Sequence, residues 1–436
     1  MLDGLKTVAR KASQTRALKA LLEDCNVLMS ERGEANSVTI GNQLIAHFER
    51  LPEDKLISFF EHLANDFSPD PKEVLAAAQD YATQQSAGHL KRLMQVSEPP
   101  RQELFRRINR TPGGTATIVG MRRTLLRNLR AHPELQVLED DLLHLLSSWF
   151  NPGFLEMQKV DWGSPARLLE KLIEHEAVHE IDGWDDLRRR LAPDRRCFAF
   201  FHPQLPDEPL IFVEVALVPD IPAAIAPLID KKSPPLTTDQ FKAAIFYSIS
   251  NCQPGLRGVS MGNFLIKRVA EQLHRELPQI KTFCTLSPIP GFAAWLQGTT
   301  DFRHIHGKKR GLGLRLSEAK DVLLEASKGD LSALASANAQ RSLTPVQVAA
   351  QMRLCSAYLA HQSVATSGAD PVARFHLDNG ARLERINFLG DLSRKGLKQA
   401  CGMMVNYLYD LQQVEANHEK FVHGEVVHAR GVAALL

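Results

Sequence analysis

The chain has 436 residues, too long for one ordinary domain and suited to two or three. Its 52 Lys and Arg against 50 Asp and Glu leave a formal charge of +2, which excludes a chain-wide polybasic nucleic-acid binder and an acidic solvating protein. An apolar share of 44% supplies a core that needs no staples, and six scattered cysteines without metal-ligand spacing read as reduced, buried thiols.

The most apolar stretch, Pro209 to Leu228, is broken by Glu214, Asp220 and several prolines, so it does not supply the ~18–20 clean apolar residues of a membrane span. Lys6, Arg10, Lys11, Arg16 and Lys19 precede no apolar h-region, so no secretory signal is expected. The cytoplasm is the expected compartment, with neither membrane nor nucleic acid as partner.

Up to about residue 150 the pattern is helical. Leu44, Ile45, Phe48 and Leu51 recur at helical spacing, and Leu56, Phe59, Phe60, Leu63 and Phe67 repeat it. Asp70-Pro71 followed by Glu73 reads as a helix start with an N-cap, a proline at the first helical position and a capping box. A further short helix is expected near Arg122 to Leu129. Leu135, Leu138, Leu142, Leu145, Leu146 and Trp149 form the next stripe, stopped by Asn151-Pro152-Gly153. The expectation is an all-helical domain over 1–150, of roughly six to eight helices by its loop signals. Nothing in it looks chemical, which suits packing or assembly.

After a connecting helix from Pro165 to about Glu180, the period changes over 151–436. Cys197 to Phe201 and Leu210 to Leu217 are short apolar runs around a turn, a hairpin of two buried strands. Ala243 to Ile249 is a third strand, Gly262 to about Leu277 a helix, and Lys281 to Leu286 a fourth strand. Strand, glycine turn, helix and strand make a βαβ crossover with a binding site at the strand ends. Beyond Ser317 the pattern is mostly helical, with strand candidates at Ala373 to Leu377 and Met403 to Leu408. The fold class expected is α+β: a helical domain, then a mixed α/β catalytic domain.

Three constellations offer chemistry. The turn Gln253-Pro-Gly-Leu-Arg257-Gly258-Val259-Ser260-Met261-Gly262-Asn263 opens a helix, where free backbone N–H groups and the dipole can cradle a phosphate and Arg257 can add a charged contact. A glycine-rich turn without a ligand gives the same pattern. His175-Glu176-Ala-Val-His179 has the H-E-x-x-H spacing that puts two imidazoles on one helix face, as a zinc site requires. The helix ends almost at once at Ile181-Asp-Gly183 and no third ligand stands out, so no metal is expected. His304-Ile-His306 before Gly307-Lys-Lys-Arg310 reads as a solvated loop or a contact to a phosphate.

The glycine turn resembles the pyrophosphate cradle of the GNAT acetyltransferase superfamily, with Ser260 where glycine usually stands. Its flanks are more specific. Phe246-Tyr-Ser-Ile-Ser250, Gly258 through Val269, Leu286-Ser-Pro-Ile-Pro-Gly-Phe292, Phe375-His-Leu-Asp-Asn-Gly-Ala381, Arg195-Arg-Cys197 and Asn406-Tyr-Leu-Tyr409 together resemble the signature segments of the malonyl-CoA decarboxylase family. The resemblance implies a GNAT-like catalytic domain behind a helical oligomerisation domain, assembled as a homotetramer (a dimer of dimers). It implies conversion of malonyl-CoA to acetyl-CoA and CO2 without metal or organic cofactor. The family's active serine matches Ser287 and its active histidine His376; the family often has glutamate where this chain has Ser260. Arg257, Gly258, Val259, Ser260, Met261, Gly262, Asn263 and Ile266 are expected to meet CoA.

These residue types suit the reaction. Loss of CO2 from a malonyl thioester leaves an enolate whose oxygen needs preorganised donors, one of which is often worth ~3–4 kcal/mol. Its carbon needs a proton, which a histidine of ordinary pKa ~6.5 can supply near neutral pH. Two rivals share the glycine turn: a GNAT-type acyltransferase, which would release free CoA thiol, and a CoA-sensing protein without chemistry.

Overall fold

The computed structural model describes residues 2–259, 265–303, 305, 311–362 and 369–436. It comprises two compact units, one of Met1–Glu156, Phe201–Pro209 and Gln253–Met261, the other of Met157–Phe200, Leu210–Cys252 and Gly262–Leu436. The first is helical. It holds nine α-helices among the described residues, against the six to eight expected.

Both apolar stripes form helices, Ser37–Glu49 and Glu53–Asp66, and the second buries Phe59, Phe60 and Leu63. Each such side chain removed from water contributes roughly 1.5–3 kcal/mol. Helix Pro71–Thr83 starts where Asp70-Pro71 predicts, although the Asp70 carboxylate accepts the Lys72 N–H and no capping box with Glu73 forms. The short helix expected near 122–129 is the end of a longer one, Gly114–Asn128. Helix Gln136–Trp149 buries Leu138, Leu142, Leu145 and Leu146 and gives way to a 3-10 turn at Pro152–Phe154.

The second unit is built on an eight-stranded sheet: β1 (Glu156–Val160), β2 (Arg195–Phe201), β3 (Ile211–Val218), β4 (Ala243–Asn251), β5 (Thr282–Thr285), β6 (Ser287–Pro288), β7 (Arg382–Asn387) and β8 (Met404–Leu408). The strand order is β1-β2-β3-β4-β5-β8-β6, with β7 also paired to β8. The expected hairpin is β2–β3, antiparallel, and every residue of β3 is buried, as a strand covered on both faces requires. Helix Leu265–Glu276 joins β4 to the parallel strand β5, which completes the predicted crossover. The α+β class inferred from the sequence is the one that forms.

One irregularity positions the site. The β4–β5 ladder runs from Ala243 opposite Thr282 to Phe246 opposite Thr285. Beyond that level β4 continues along β3 to Asn251, while the chain after β5 turns to pair Ser287 with Val405 of β8. Two parallel neighbours therefore part at their carboxyl ends, the place where open α/β sheets bind ligands.

Two expectations are corrected here. Ala373 to Leu377 is helix, not strand: Asp370 caps Pro371–Asp378, accepting the Val372 and Ala373 N–H groups at 3.0 Å each, with Pro371 at the first helical position. The strand comes later, as β7. The connecting helix ends at His175, not near Glu180, because the Glu176 side chain turns back to accept the Val178 and His179 N–H groups at 2.8 Å each.

Candidate active site

Ser287 and His376 lie 89 residues apart in sequence, yet Ser287 Oγ and His376 Nε2 are 3.0 Å apart. β6 holds the serine beside β8, and the 371–378 helix holds the histidine over the gap between β4 and β6. Both are buried, at 4% and 3% exposure. They stand in the wall of a cavity of about 290 Å3 whose other lining is mainly apolar, including Val178, Phe246, Ile249, Val372 and Phe375.

Neighbouring side chains fix the pair. His376 Nδ1 meets the Tyr409 hydroxyl at 2.9 Å, and the imidazole stacks on the Tyr407 ring at 4.7 Å between centroids. The Ser287 hydroxyl donates to Thr285 Oγ1 at 2.9 Å, and the same Thr285 oxygen accepts the Tyr407 N–H at 3.1 Å. With Tyr409 donating to Nδ1, the imidazole proton sits on Nε2 and points at Ser287 Oγ. Burial alone pushes the His376 pKa down to about 3, so the imidazole is neutral at physiological pH. The ordinary value near 6.5 expected from the sequence does not apply. Sequence reasoning missed Thr285 and Tyr409; their part depends on strands more than a hundred residues apart lying side by side. The Asn406-Tyr-Leu-Tyr409 segment was a signal, without a role for either tyrosine.

The H-E-x-x-H residues take another part. Glu176 is buried and accepts the Ser248 hydroxyl at 2.7 Å and the Ser250 hydroxyl at 3.2 Å, besides the two backbone N–H groups. Four donors to one carboxylate make it a fastening of the cavity wall, since Ser248 and Val178 both line that cavity. His175 ends its helix and His179 lies four residues on in non-helical chain, so the shared helix face needed for zinc does not exist. Burial holds the His179 pKa down at about 4. Among the described residues the one group with metal-ligand spacing is Glu61, His132 and Glu134, none of them from this motif.

The glycine turn is described through Val259; Ser260, Met261, Gly262 and Asn263 lie outside the described residues, as do His304, His306 and 307–310. Gly258 has φ +82, a left-handed conformation that glycine adopts without strain. Arg257 is exposed, Val259 is buried, and the Ile266 side chain, on the 265–276 helix, is fully buried. The turn is anchored within the helical unit by a residue the sequence did not suggest. Arg122, 1% exposed, donates to the carbonyls of Gly255 and Arg257 at 2.8 Å each while its guanidinium grips the Glu139 carboxylate in a bidentate pair at 2.6 and 2.8 Å. A lone arginine on an apolar helical face was the available signal.

Comparison with known proteins identifies the family. Residues 153–436 match the family model of the malonyl-CoA decarboxylase C-terminal domain and residues 67–150 that of the malonyl-CoA decarboxylase N-terminal domain. The mitochondrial malonyl-CoA decarboxylase of Mus musculus is 39% identical over 354 residues, spanning 78% of this chain and 71% of that one. The crystal structure of malonyl-CoA decarboxylase from Rhodopseudomonas palustris superposes with a TM-score of 0.84 at 46% identity, covering 96% of this chain and 99% of that one. That from Agrobacterium vitis gives 0.82 at 43% identity over 95% and 99%. The chain belongs to the malonyl-CoA decarboxylase family.

Proposed function

We propose that the chain decarboxylates malonyl-CoA to acetyl-CoA and CO2 at the Ser287–His376 pair. The observation that carries this is the 3.0 Å contact between the two side chains at the wall of a largely apolar cavity where β4 and β5 part. Past Phe246 the edge of β4 facing the gap no longer runs beside β5, so an extended ligand with amide groups can lie along it. The pantetheine arm of CoA has that chemistry. Arg257 and the turn that follows it would meet the pyrophosphate.

In this scheme the C–C bond to the carboxylate breaks, CO2 leaves into apolar surroundings that favour a neutral product, and the electron pair passes into the thioester as an enolate. The Ser287 hydroxyl, turning from Thr285 to the bound thioester, would donate to the developing oxygen charge, backed by the neutral Nε2–H that points at Ser287 Oγ and is held by Tyr409. A thioester enolate is basic enough at carbon to take the proton this pair carries, and solvent refills the pair. Atoms balance: one malonyl-CoA and one proton give acetyl-CoA and CO2.

Residues 1–150 form the helical oligomerisation domain and 151–436 the catalytic domain in this proposal, with the chain assembled as a homotetramer. Light scattering checks it: a clean monomer at micromolar concentration would remove the assembly claim. Incubation of the purified protein with malonyl-CoA, with products identified by mass, checks the reaction. Acetyl-CoA with matching CO2 is expected; free CoA thiol would instead mean acyl transfer.

A further inference from the structure

We infer that Asp370 is a positioning residue whose single carboxylate ties the segment bearing His376 to the segment bearing Ser287 and so sets the distance between them. Oδ1 accepts the Val372 and Ala373 N–H groups and starts the 371–378 helix that carries His376. Oδ2 reaches the other way. It accepts the Gly291 N–H at 3.1 Å, four residues after Ser287, and the Tyr358 hydroxyl at 3.3 Å.

The second oxygen is what the cap alone leaves unexplained. Ser, Thr or Asn caps a helix as well as Asp does, without placing a carboxylate at 1% exposure. A carboxylate offers two acceptor oxygens and no donor, so it alone serves both segments at once. Asn would turn an NH2 toward the Gly291 N–H, donor against donor. The turn is shaped for this approach: a Cβ on Gly291 would stand 2.1 Å from Tyr358 Oη and 3.4 Å from Asp370 Oδ2. Tyr358 is itself held by Phe292 and Trp295, at 5.9 and 5.2 Å between ring centroids, so the Oδ2 side is rigid. Burial raises the Asp370 pKa while its four hydrogen bonds oppose that rise.

This rests on Ser287 and His376 acting as a pair, and the test separates the two claims. Steady-state turnover of malonyl-CoA and calorimetric binding of acetyl-CoA are measured for Asp370→Asn, Ser287→Ala and the double variant. Misplacing a catalytic group by about 1 Å can cost ~100-fold, so Asp370→Asn is expected to lower kcat by roughly 10–100-fold with acetyl-CoA affinity within about twofold. In the Ser287→Ala background the same change is expected to cost under about twofold, because the distance it sets no longer matters. An equal loss in both backgrounds, or an unchanged kcat in Asp370→Asn, overturns the inference while leaving the Ser287–His376 reading intact. A fast Ser287→Ala variant overturns that reading instead. If Asp370→Asn does not fold, Tyr358→Phe removes one Oδ2 donor and replaces it in the cycle: a several-fold fall in kcat that vanishes with Ser287→Ala supports the inference, and parental kcat overturns it.

Discussion

Residues 175–179 and the pair Ser287–His376 meet at one cavity and teach opposite lessons about sequence motifs. The first has the spacing of a metal site within five residues, and its glutamate spends all its acceptors on Ser248, Ser250 and two backbone N–H groups. The second has no local spacing at all, yet it places a hydroxyl 3.0 Å from a neutral imidazole. A helical motif is chemical only if the helix exists. Here a buried acceptor competes for the backbone at the motif's second residue, and the helix stops.

The contrast can be broken most directly at the pair. Ser287→Ala and His376→Ala are each expected to slow turnover by ~10²–10⁴-fold with acetyl-CoA binding kept, since in the proposed scheme each breaks the pair that serves the transition state. Parental CO2 release from either folded variant would remove that residue from the mechanism. On the other side, His175→Ala with His179→Ala should leave kcat within about twofold, and chelators should leave it unchanged; stoichiometric zinc whose removal abolishes turnover would restore the motif as a metal site.

A smaller effect is expected at the glycine turn. Arg257→Glu places an anion where the pyrophosphate is expected and should raise KM roughly tenfold with kcat nearly constant, as loss of uniform binding does. Unchanged acetyl-CoA affinity by calorimetry would make Arg257 a surface residue only.

Acid sensitivity sharpens the comparison further. The folded His376 pKa of about 3 lies below the ordinary 6.5, so the unfolded chain binds more protons between those values. Its contribution to stability is fully present above pH 6.5 and is lost as pH falls toward 3, at up to roughly 1.4 kcal/mol per unit. His376→Gln should therefore lose about 1–2 kcal/mol less than the parent between pH 6.5 and 5 in urea unfolding. His179, pushed down to about 4, adds a second such window that survives in this variant. Identical pH slopes for parent and variant would mean that His376 is not buried neutral.

Much of the frame was legible. The hairpin β2–β3, the crossover from β4 to β5 and the stripes of the helical unit follow from periodicity, and the family segments pointed to Ser287 and His376. The misplacement of His376 is instructive because the signal was present twice. Asp370-Pro371 is the same helix start as Asp70-Pro71, but it stands beside the run Ala373 to Leu377, which is too short for its period to separate strand from helix. Thr285, Tyr409 and Arg122 were not legible as partners, because their contacts exist only after distant segments pack. Glu176 was legible as a carboxylate in a motif but not as the acceptor that ends the helix.

The double variant Ser287→Ala with His376→Ala tests the central claim most directly. If both groups serve one transition state, its kcat is expected to be little below that of the poorer single variant. Losses that multiply would show two independent contributions and contradict a working pair.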